Sequence, residues 1–283
     1  MINFSLSIAE NRRNLCRPFL AAHRGVCGAN IPCNTLLSYK IALDKGADVI
    51  EIDVSKSKDG EYFVFHPGME KVFIGDPKSL SEMTAEEIKS INLLNSDRVK
   101  TSYKIPTLAE VFELLRGKAY INVDKFWTDV EGISTAIRRA GVERQVIVKT
   151  YTDEESLDRV AKYAPDFMFM PMVRKTDTVT DMLLARGVNQ IGAEILFESE
   201  NDEVISPEYI DRMHEGGLLI WMNSIVYNEK DVISAYHTDD ISLSDSPERG
   251  WGWLAKRGFD FIQTDWVGIM SKYLNSQGLL YRK

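Results

Sequence analysis

Asp48-Val49-Ile50-Glu51-Ile52-Asp53 is the stretch on which the fold turns. It is an apolar run interrupted by carboxylates two positions apart. Such a run is too continuous for a half-exposed sheet and reads as a parallel strand buried on both faces. Glu51 and Asp53 point to the same side of it. Seven further runs rich in Val, Ile, Phe and Leu have the same character, at 18–22, 119–123, 145–148, 167–171, 189–193, 218–222 and 259–264. Helical patterns alternate with them, at 34–45, 107–116, 129–140, 153–163, 178–186, 207–215 and 266–276. Several of these open on Asn, Thr or Asp in a capping position, and Thr107-Leu108-Ala109-Glu110 carries the capping-box pattern. Eight βα units in about 250 residues predict an α/β fold, a closed TIM (β/α)8 barrel. The structural alternative is a doubly wound open sheet, and the lack of Gly-x-Gly-x-x-Gly after the first strand weakens it.

The chain has 283 residues, 44% of them hydrophobic, enough for a large core. We expect one barrel domain over 1–283, with 66–105 as an insertion after the second strand, because that stretch holds only one clear helical signal, at 84–90. The formal charge of -8 gives no general attraction for nucleic acid or anionic membranes, so an anionic substrate needs local cations. Cysteines 16, 27 and 33 do not read as a disulfide framework or a zinc site. No apolar stretch is long enough to span a bilayer, and residues 1–15 lack a signal-peptide pattern. The expected location is the cytoplasm, or the periplasm or exterior had a leader been removed.

Between the second strand and the insertion, Lys58-Asp59-Gly60-Glu61 is a hairpin turn. A two-residue type I′ turn with Asp59 and Gly60 at its tip would place Asp53 opposite His66. The polar residues at the predicted strand ends form an inventory: His23 after the first strand, Glu51 and Asp53 on the second, Asp124 on the third. Functional side chains of such barrels sit at those ends. Three carboxylates at one rim repel unless a cation lies among them, and all-oxygen ligation favours Mg2+ or Ca2+. Arg24 has the planar fork that holds two phosphate oxygens. Lys125 follows Asp124, and strict alternation points it away unless the strand end bends. The set suits metal-assisted phosphodiester cleavage, with the histidines as acid and base.

His23-Arg24-Gly25, Glu51-x-Asp53, Lys58-Asp59-Gly60 and His66 occur in the order found in one family, as do residues 83–88 and 105–111, Trp221-Met222-Asn223 and Thr264-Asp265-Trp266. Over residues 23–266 the chain resembles the glycerophosphodiester phosphodiesterases, whose barrel is similar to that of phosphatidylinositol phospholipases. The resemblance implies one divalent cation on Glu51, Asp53 and Asp124, His23 and His66 as the acid/base pair, and Arg24 and Lys125 on the phosphate. It further implies Trp221 against the glycerol or alcohol moiety, with a core aromatic as the alternative reading of that residue. Lys149 and Glu194, ending the fourth and sixth strands, are further candidates for substrate contact.

The implied reaction is hydrolysis of a small-molecule glycerophosphodiester to glycerol 3-phosphate and an alcohol, with no nucleic-acid partner and no stable membrane insertion. Two departures qualify it. Asp124 stands where the family usually has Glu, a feature shared with sphingomyelinase D-like lipid phosphodiesterases, and Pro67 stands where an Asp usually follows the second His. A lipid phosphodiesterase and a catalytically impaired phosphodiester-binding protein are therefore the alternatives. Head-group choice, Mg2+ against Ca2+, the nucleophile, the order of the histidines and the oligomeric state stay open.

Overall fold

The computed structural model describes residues 2–15, 17–228 and 230–278. Eight parallel strands close into a barrel: β1 (Phe19–Ala22), β2 (Val49–Lys56), β4 (Tyr120–Asp124), β5 (Val146–Thr150), β6 (Met168–Arg174), β7 (Gly192–Leu196), β8 (Leu219–Asn223) and β9 (Phe261–Thr264). The short strand β3 (Tyr62–Val64) pairs antiparallel with β2 and stands outside the ring. β1 closes the barrel by pairing with both β2 and β9. All eight expected strands are present, and the closed order excludes the open sheet.

Period-two alternation divides the strand residues between two environments. Leu20, Ala22, Ile50, Ile52, Ile121, Val123, Val146, Val148, Ile220 and Ile262 face outward and pack beneath the helices. Phe19, Val49, Tyr120, Ile147, Met168, Met170, Trp221 and Phe261 face the lumen and fill its lower part. Each fully buried apolar side chain contributes about 1.5–3 kcal/mol. One layer higher the same inward register carries Glu51, Asn122, Lys149, Glu194, Asn223 and Gln263, all buried. The barrel thus has an apolar floor and a polar mouth at the C-terminal ends of its strands.

The floor is plugged by a helix that the sequence reading did not anticipate, Ile8–Asn14, opened by a Ser7/Glu10 capping box. Its Ile8 joins the luminal cluster, and Asn11 Nδ2 donates to the Tyr120 hydroxyl at 2.9 Å. Beside it, Asp260 sits 2.9 Å from Arg12 Nε and 2.9 Å from His214 Nε2, and accepts the Ile220 N–H at 2.9 Å.

The hairpin corrects one expectation. Val54 faces Val64, Ser55 faces Phe63 and Lys56 faces Tyr62, so Phe65, not His66, lies opposite Asp53. The loop holds three residues, not two: Ser57 N–H donates to Glu61 O, and only Gly60 (φ +93°) is left-handed. This is a type I turn closed by a glycine bulge, which shifts the register by one. Asp59 is thereby free to accept from the Ser57 hydroxyl and the Ala85 N–H. It ties the hairpin to residues 66–105, which contain the expected helix (Ala85–Ser90) and pack a small apolar cluster against Phe63 and Phe65. No described helix is long and apolar enough to cross a membrane.

The Asp260 hydrogen bond outweighs the effect of burial and raises the His214 pKa above its usual 6.5. A raised folded-state value stabilises the fold in full below the unfolded pKa and is lost as pH rises through the folded value. We therefore expect stability to decline from about pH 6.5 upward. His214→Gln should flatten that slope in urea titrations across pH 6 to 8.5.

Candidate active site

The mouth of the barrel brings together every charged residue singled out at the strand ends. β2 and β4 pair in register with Asp53 beside Asp124, so both carboxylates leave their strands at one level, with Glu51 one layer below. One oxygen from each of Glu51, Asp53 and Asp124 lies within 4.8 Å of the others. Glu51 and Asp53 are buried, and Asp124 is partly exposed. Burial, then the neighbouring charge of Asp53, pushes the Glu51 carboxyl up to about 8. Asp53 Oδ1 is buried without a hydrogen-bond partner among the described residues. Three convergent hard oxygens, one orphaned and one reluctant to ionise, fit a divalent cation of the Mg2+ or Ca2+ kind.

Cationic side chains offset part of this negative charge. The turn after β1 places Arg24 (φ +57°) and Gly25 (φ +83°) in the left-handed region. Arg24 N–H donates to Glu51 Oε2 at 2.8 Å, and its Nε lies 2.9 Å from Asp53 Oδ2. Gly25 is required by both conformation and space, because a Cβ there would stand 2.5 Å from Ser38 Oγ and 2.8 Å from the Ser38 carbonyl carbon. Lys125 reaches the cluster through the bend that alternation demanded. Its backbone is left-handed (φ +62°), and Nζ lies 2.7 Å from Asp124 Oδ2 and 3.8 Å from Asp53 Oδ1. Against the penalty of burial, Lys125 holds the Asp124 carboxyl below its ordinary value.

The two histidines flank the cluster in unlike surroundings. His23 Nδ1 is 2.8 Å from Asp265 Oδ1, which leaves Nε2 for other partners. Burial opposes its protonation, yet the Asp265 hydrogen bond and the charge of Glu51 raise its pKa. His66 Nε2 lies 3.9 Å from Asp53 Oδ1, so the two still meet although they are not cross-strand partners. Burial, followed by the charges of Arg24 and Lys125 acting against Asp53, lowers the His66 pKa. Pro67 supplies no carboxylate to reverse this.

The sequence profile of the glycerophosphoryl diester phosphodiesterase family matches residues 23–268. The chain belongs to that family, one of phosphoric diester hydrolases. A glycerophosphodiester phosphodiesterase of Caldanaerobacter subterraneus subsp. tengcongensis is 32% identical over 162 residues, which span 53% of this chain and 64% of that protein, just under two thirds of its length. One from Bacillus subtilis is 24% identical over 249 residues, covering 79% of this chain and 83% of the relative. Among solved structures, a glycerophosphoryl diester phosphodiesterase from Parabacteroides distasonis superposes with a TM-score of 0.78 at 23% identity, covering 96% of this chain and 93% of that one. An Oleispira antarctica phosphodiesterase, solved in complex with the product sn-glycerol-3-phosphate, gives a TM-score of 0.65 at 16% identity, covering 92% and 97%.

The family resemblance led us to expect Trp221 against substrate, and here the structure differs. Trp221 is fully buried, stacked on Phe261 (centroids 5.0 Å apart) in the luminal core. Lys149 Nζ sits 3.4 Å above its ring and closes it off from the mouth. Strand β8 points residue 221 down into the apolar layer, while Asn223, two residues on, reaches the polar one. Lys149 Nζ is 3.0 Å from Glu194 Oε2, and Asn223 Nδ2 donates to Glu194 Oε1 at 2.6 Å. Lys149, Glu194 and Asn223 line the floor of a cavity of about 720 Å³ that also meets His23, Arg24, Glu51, Asp124 and Lys125.

Sequence reading missed the residues that hold this constellation in place. Asn34 Nδ2 donates to Asp53 Oδ2 at 2.9 Å and is itself fixed by the Tyr39 hydroxyl on its Oδ1. Asp265, the middle residue of the Thr264-Asp265-Trp266 motif, orients His23, and its own N–H is held by Asp239 Oδ2 at 2.9 Å. None carries a local signal, since each acts on a residue far away in sequence. Cys27 and Cys33 are free thiols beside the Arg24 turn, and Cys16 lies outside the described residues. Gly25→Ala should lower unfolding free energy by about 1–3 kcal/mol through left-handed strain and the clash with Ser38. A denaturation midpoint unchanged from the parent would contradict the packing described.

Proposed function

We propose that this chain hydrolyses glycerophosphodiesters to glycerol 3-phosphate and an alcohol, using Glu51, Asp53 and Asp124 to hold one divalent cation. The observation that carries the proposal is the convergence of those three carboxylates between two histidines at the mouth of a family barrel. Family membership and the product held by the Oleispira relative support a small-molecule diester as substrate. When bound, Mg2+ or Ca2+ would supply Lewis-acid stabilisation of charge developing on the phosphoryl oxygens. We read 66–105 as an insertion in the same domain, since its apolar cluster is shared with β3.

Arg24 and Lys125 bind the phosphate, the first by its planar fork and the second as a point charge. The two histidine environments divide the proton work. His66, kept neutral by burial and neighbouring cations, takes the proton of the nucleophile, either water or an adjacent substrate hydroxyl. His23, whose imidazolium form is supported by Asp265, gives its Nε2 proton to the leaving alcohol. Two groups pushed apart in pKa make an acid and a base from the same residue type. Lys149, Glu194 and Asn223 offer polar partners for glycerol hydroxyls beside the phosphate site.

The Asp124 carboxylate, where the family usually has Glu, keeps a second reading in view, a sphingomyelinase D-like lipid phosphodiesterase. Release of a cyclic phosphate from sphingomyelin or lysophosphatidylcholine vesicles, with no turnover of soluble diesters, would favour it.

His23→Ala and His66→Ala should each lower kcat by roughly two to four orders of magnitude on natural diesters. With a p-nitrophenyl ester of glycerol 3-phosphate, whose leaving group needs no proton, His23→Ala should recover most of its loss and His66→Ala little. Equal recovery in both would overturn the assignment of acid and base. Excess EDTA should abolish turnover, and added Mg2+ or Ca2+ should restore it. Full activity in the chelator would remove the metal from the proposal.

A further inference from the structure

The cavity is larger than a phosphate and a three-carbon alcohol require, and its outer half is built differently from its floor. At about 720 Å³ it falls within the usual range for whole small-molecule ligands, ~300–1,000 Å³. Beyond the carboxylate cluster it runs across the loops after β4, β5, β6 and β8. There Trp127 and Tyr151 form an aromatic corner, with ring centroids 4.8 Å apart and planes at 52°. Tyr151 is 54% exposed and lines the chamber together with Thr152, Thr176 and Thr178.

The charges of this outer half decide what it can accept. A cationic head group such as choline or ethanolamine is held by bare aromatic faces, usually with a carboxylate nearby. Here the carboxylates of the outer wall are already engaged. Asp231 pairs with Arg174 through contacts of 3.1 and 3.3 Å. Asp153 caps the helix Glu154–Tyr163, accepting from the Ser156 N–H at 2.9 Å and the Ser156 hydroxyl at 2.7 Å. The Lys125 ammonium lies 5.1 Å from the Trp127 ring centroid, so a second cation at that corner would be repelled. What remains is the Trp127–Tyr151 platform, three threonine hydroxyls, a neutralised Arg–Asp pair, the exposed Tyr227 and an aliphatic wall of Val173, Val179, Leu196, Ile225 and Ile233. Those groups suit a ring that has apolar C–H faces and many hydroxyls on its edge.

We propose that the outer chamber binds a neutral polyhydroxylated alcohol, a cyclitol or sugar, as the leaving group, stacked on Tyr151 and Trp127 and hydrogen-bonded by Thr152, Thr176 and Thr178. This rests on the phosphodiesterase reading, which it deepens by naming the substrate class. Tyr151 and Trp127 are specificity determinants and take no part in proton transfer.

Two measurements separate the inference from the reading beneath it. The first is kcat/KM of the full chain with Mg2+ on glycerophosphoinositol, glycerophosphocholine and glycerophosphoethanolamine. The inositol diester should be preferred by at least about tenfold. Tyr151→Ala should raise its KM about tenfold or more while leaving the two cationic diesters within about twofold. A preference for choline, or an equal loss on all three substrates, overturns the inference while the phosphodiesterase reading stands. The second is saturation-transfer NMR with free myo-inositol and free choline, which needs no turnover. Transfer to inositol C–H protons, lost in Tyr151→Ala and absent for choline, supports the subsite even if no diester is hydrolysed, in which case only the reading of the reaction falls. Transfer to choline alone, or to neither, overturns the subsite.

Discussion

Three carboxylates crowded into the mouth of one barrel set the terms for the rest of this structure. Two like charges a few ångströms apart repel by roughly 3–4 kcal/mol at an effective dielectric of 20. Glu51, Asp53 and Asp124, with oxygens within 4.8 Å of one another, form three pairs that would do so when ionised. The chain answers with Arg24 and Lys125, both brought in by left-handed backbone, and with the Asn34 amide on Asp53. The answer is incomplete: burial pushes the Glu51 carboxyl up to about 8, and Asp53 Oδ1 has no hydrogen bond among the described residues. A divalent cation would favour the ionised form of Glu51 and give Asp53 Oδ1 the partner it lacks. The same cationic side chains face the position where an anionic phosphate would sit.

The barrel makes this arrangement tolerable by layering its lumen. Phe19, Tyr120, Trp221 and Phe261 pack the lower part as an apolar core, and the N-terminal helix caps it. The buried polar side chains occupy the layer above, where they satisfy one another: Lys149 with Glu194, and Glu194 with Asn223. Lys149 marks the boundary, with its ammonium on the face of Trp221 below and its ion pair directed into the polar layer. A buried ion pair adds little net stability compared with apolar packing. Its value here is positional, since it fixes the floor of the cavity.

Most of the fold was legible because a parallel barrel writes each strand as a short continuous apolar run, and all eight runs became strands. The helix over residues 8–14 escaped because its burial depends on a barrel floor that no local pattern reveals. The hairpin register was misread by one residue because Asp-Gly serves both a two-residue turn and a three-residue loop with a glycine bulge. Docking of the 66–105 segment on Asp59 and Lys58 accompanies the second. His66 nevertheless meets Asp53, since the chain bends immediately after Phe65. Trp221 shows what a motif leaves open: of its two readings, substrate contact and core aromatic, the buried position in the apolar layer of the lumen favours the second.

What the sequence determined alone was the barrel, the identity of the charged groups at its strand ends, and the pairing of Glu51 with Asp53 on one strand face. Periodicity, chemistry and spacing along a strand are local properties, and these were readable from them. The tertiary structure decided which groups touch: Asp265 on His23, Asn34 on Asp53, Lys125 on Asp124, and the aromatic corner of Trp127 and Tyr151. It also gave the two histidines opposite tendencies. Burial lowers both pKa values, and the difference comes from partners brought in by other strands and loops, which no window along the chain contains. These are the Asp265 hydrogen bond and the Glu51 charge at His23, and the cations Arg24 and Lys125 at His66.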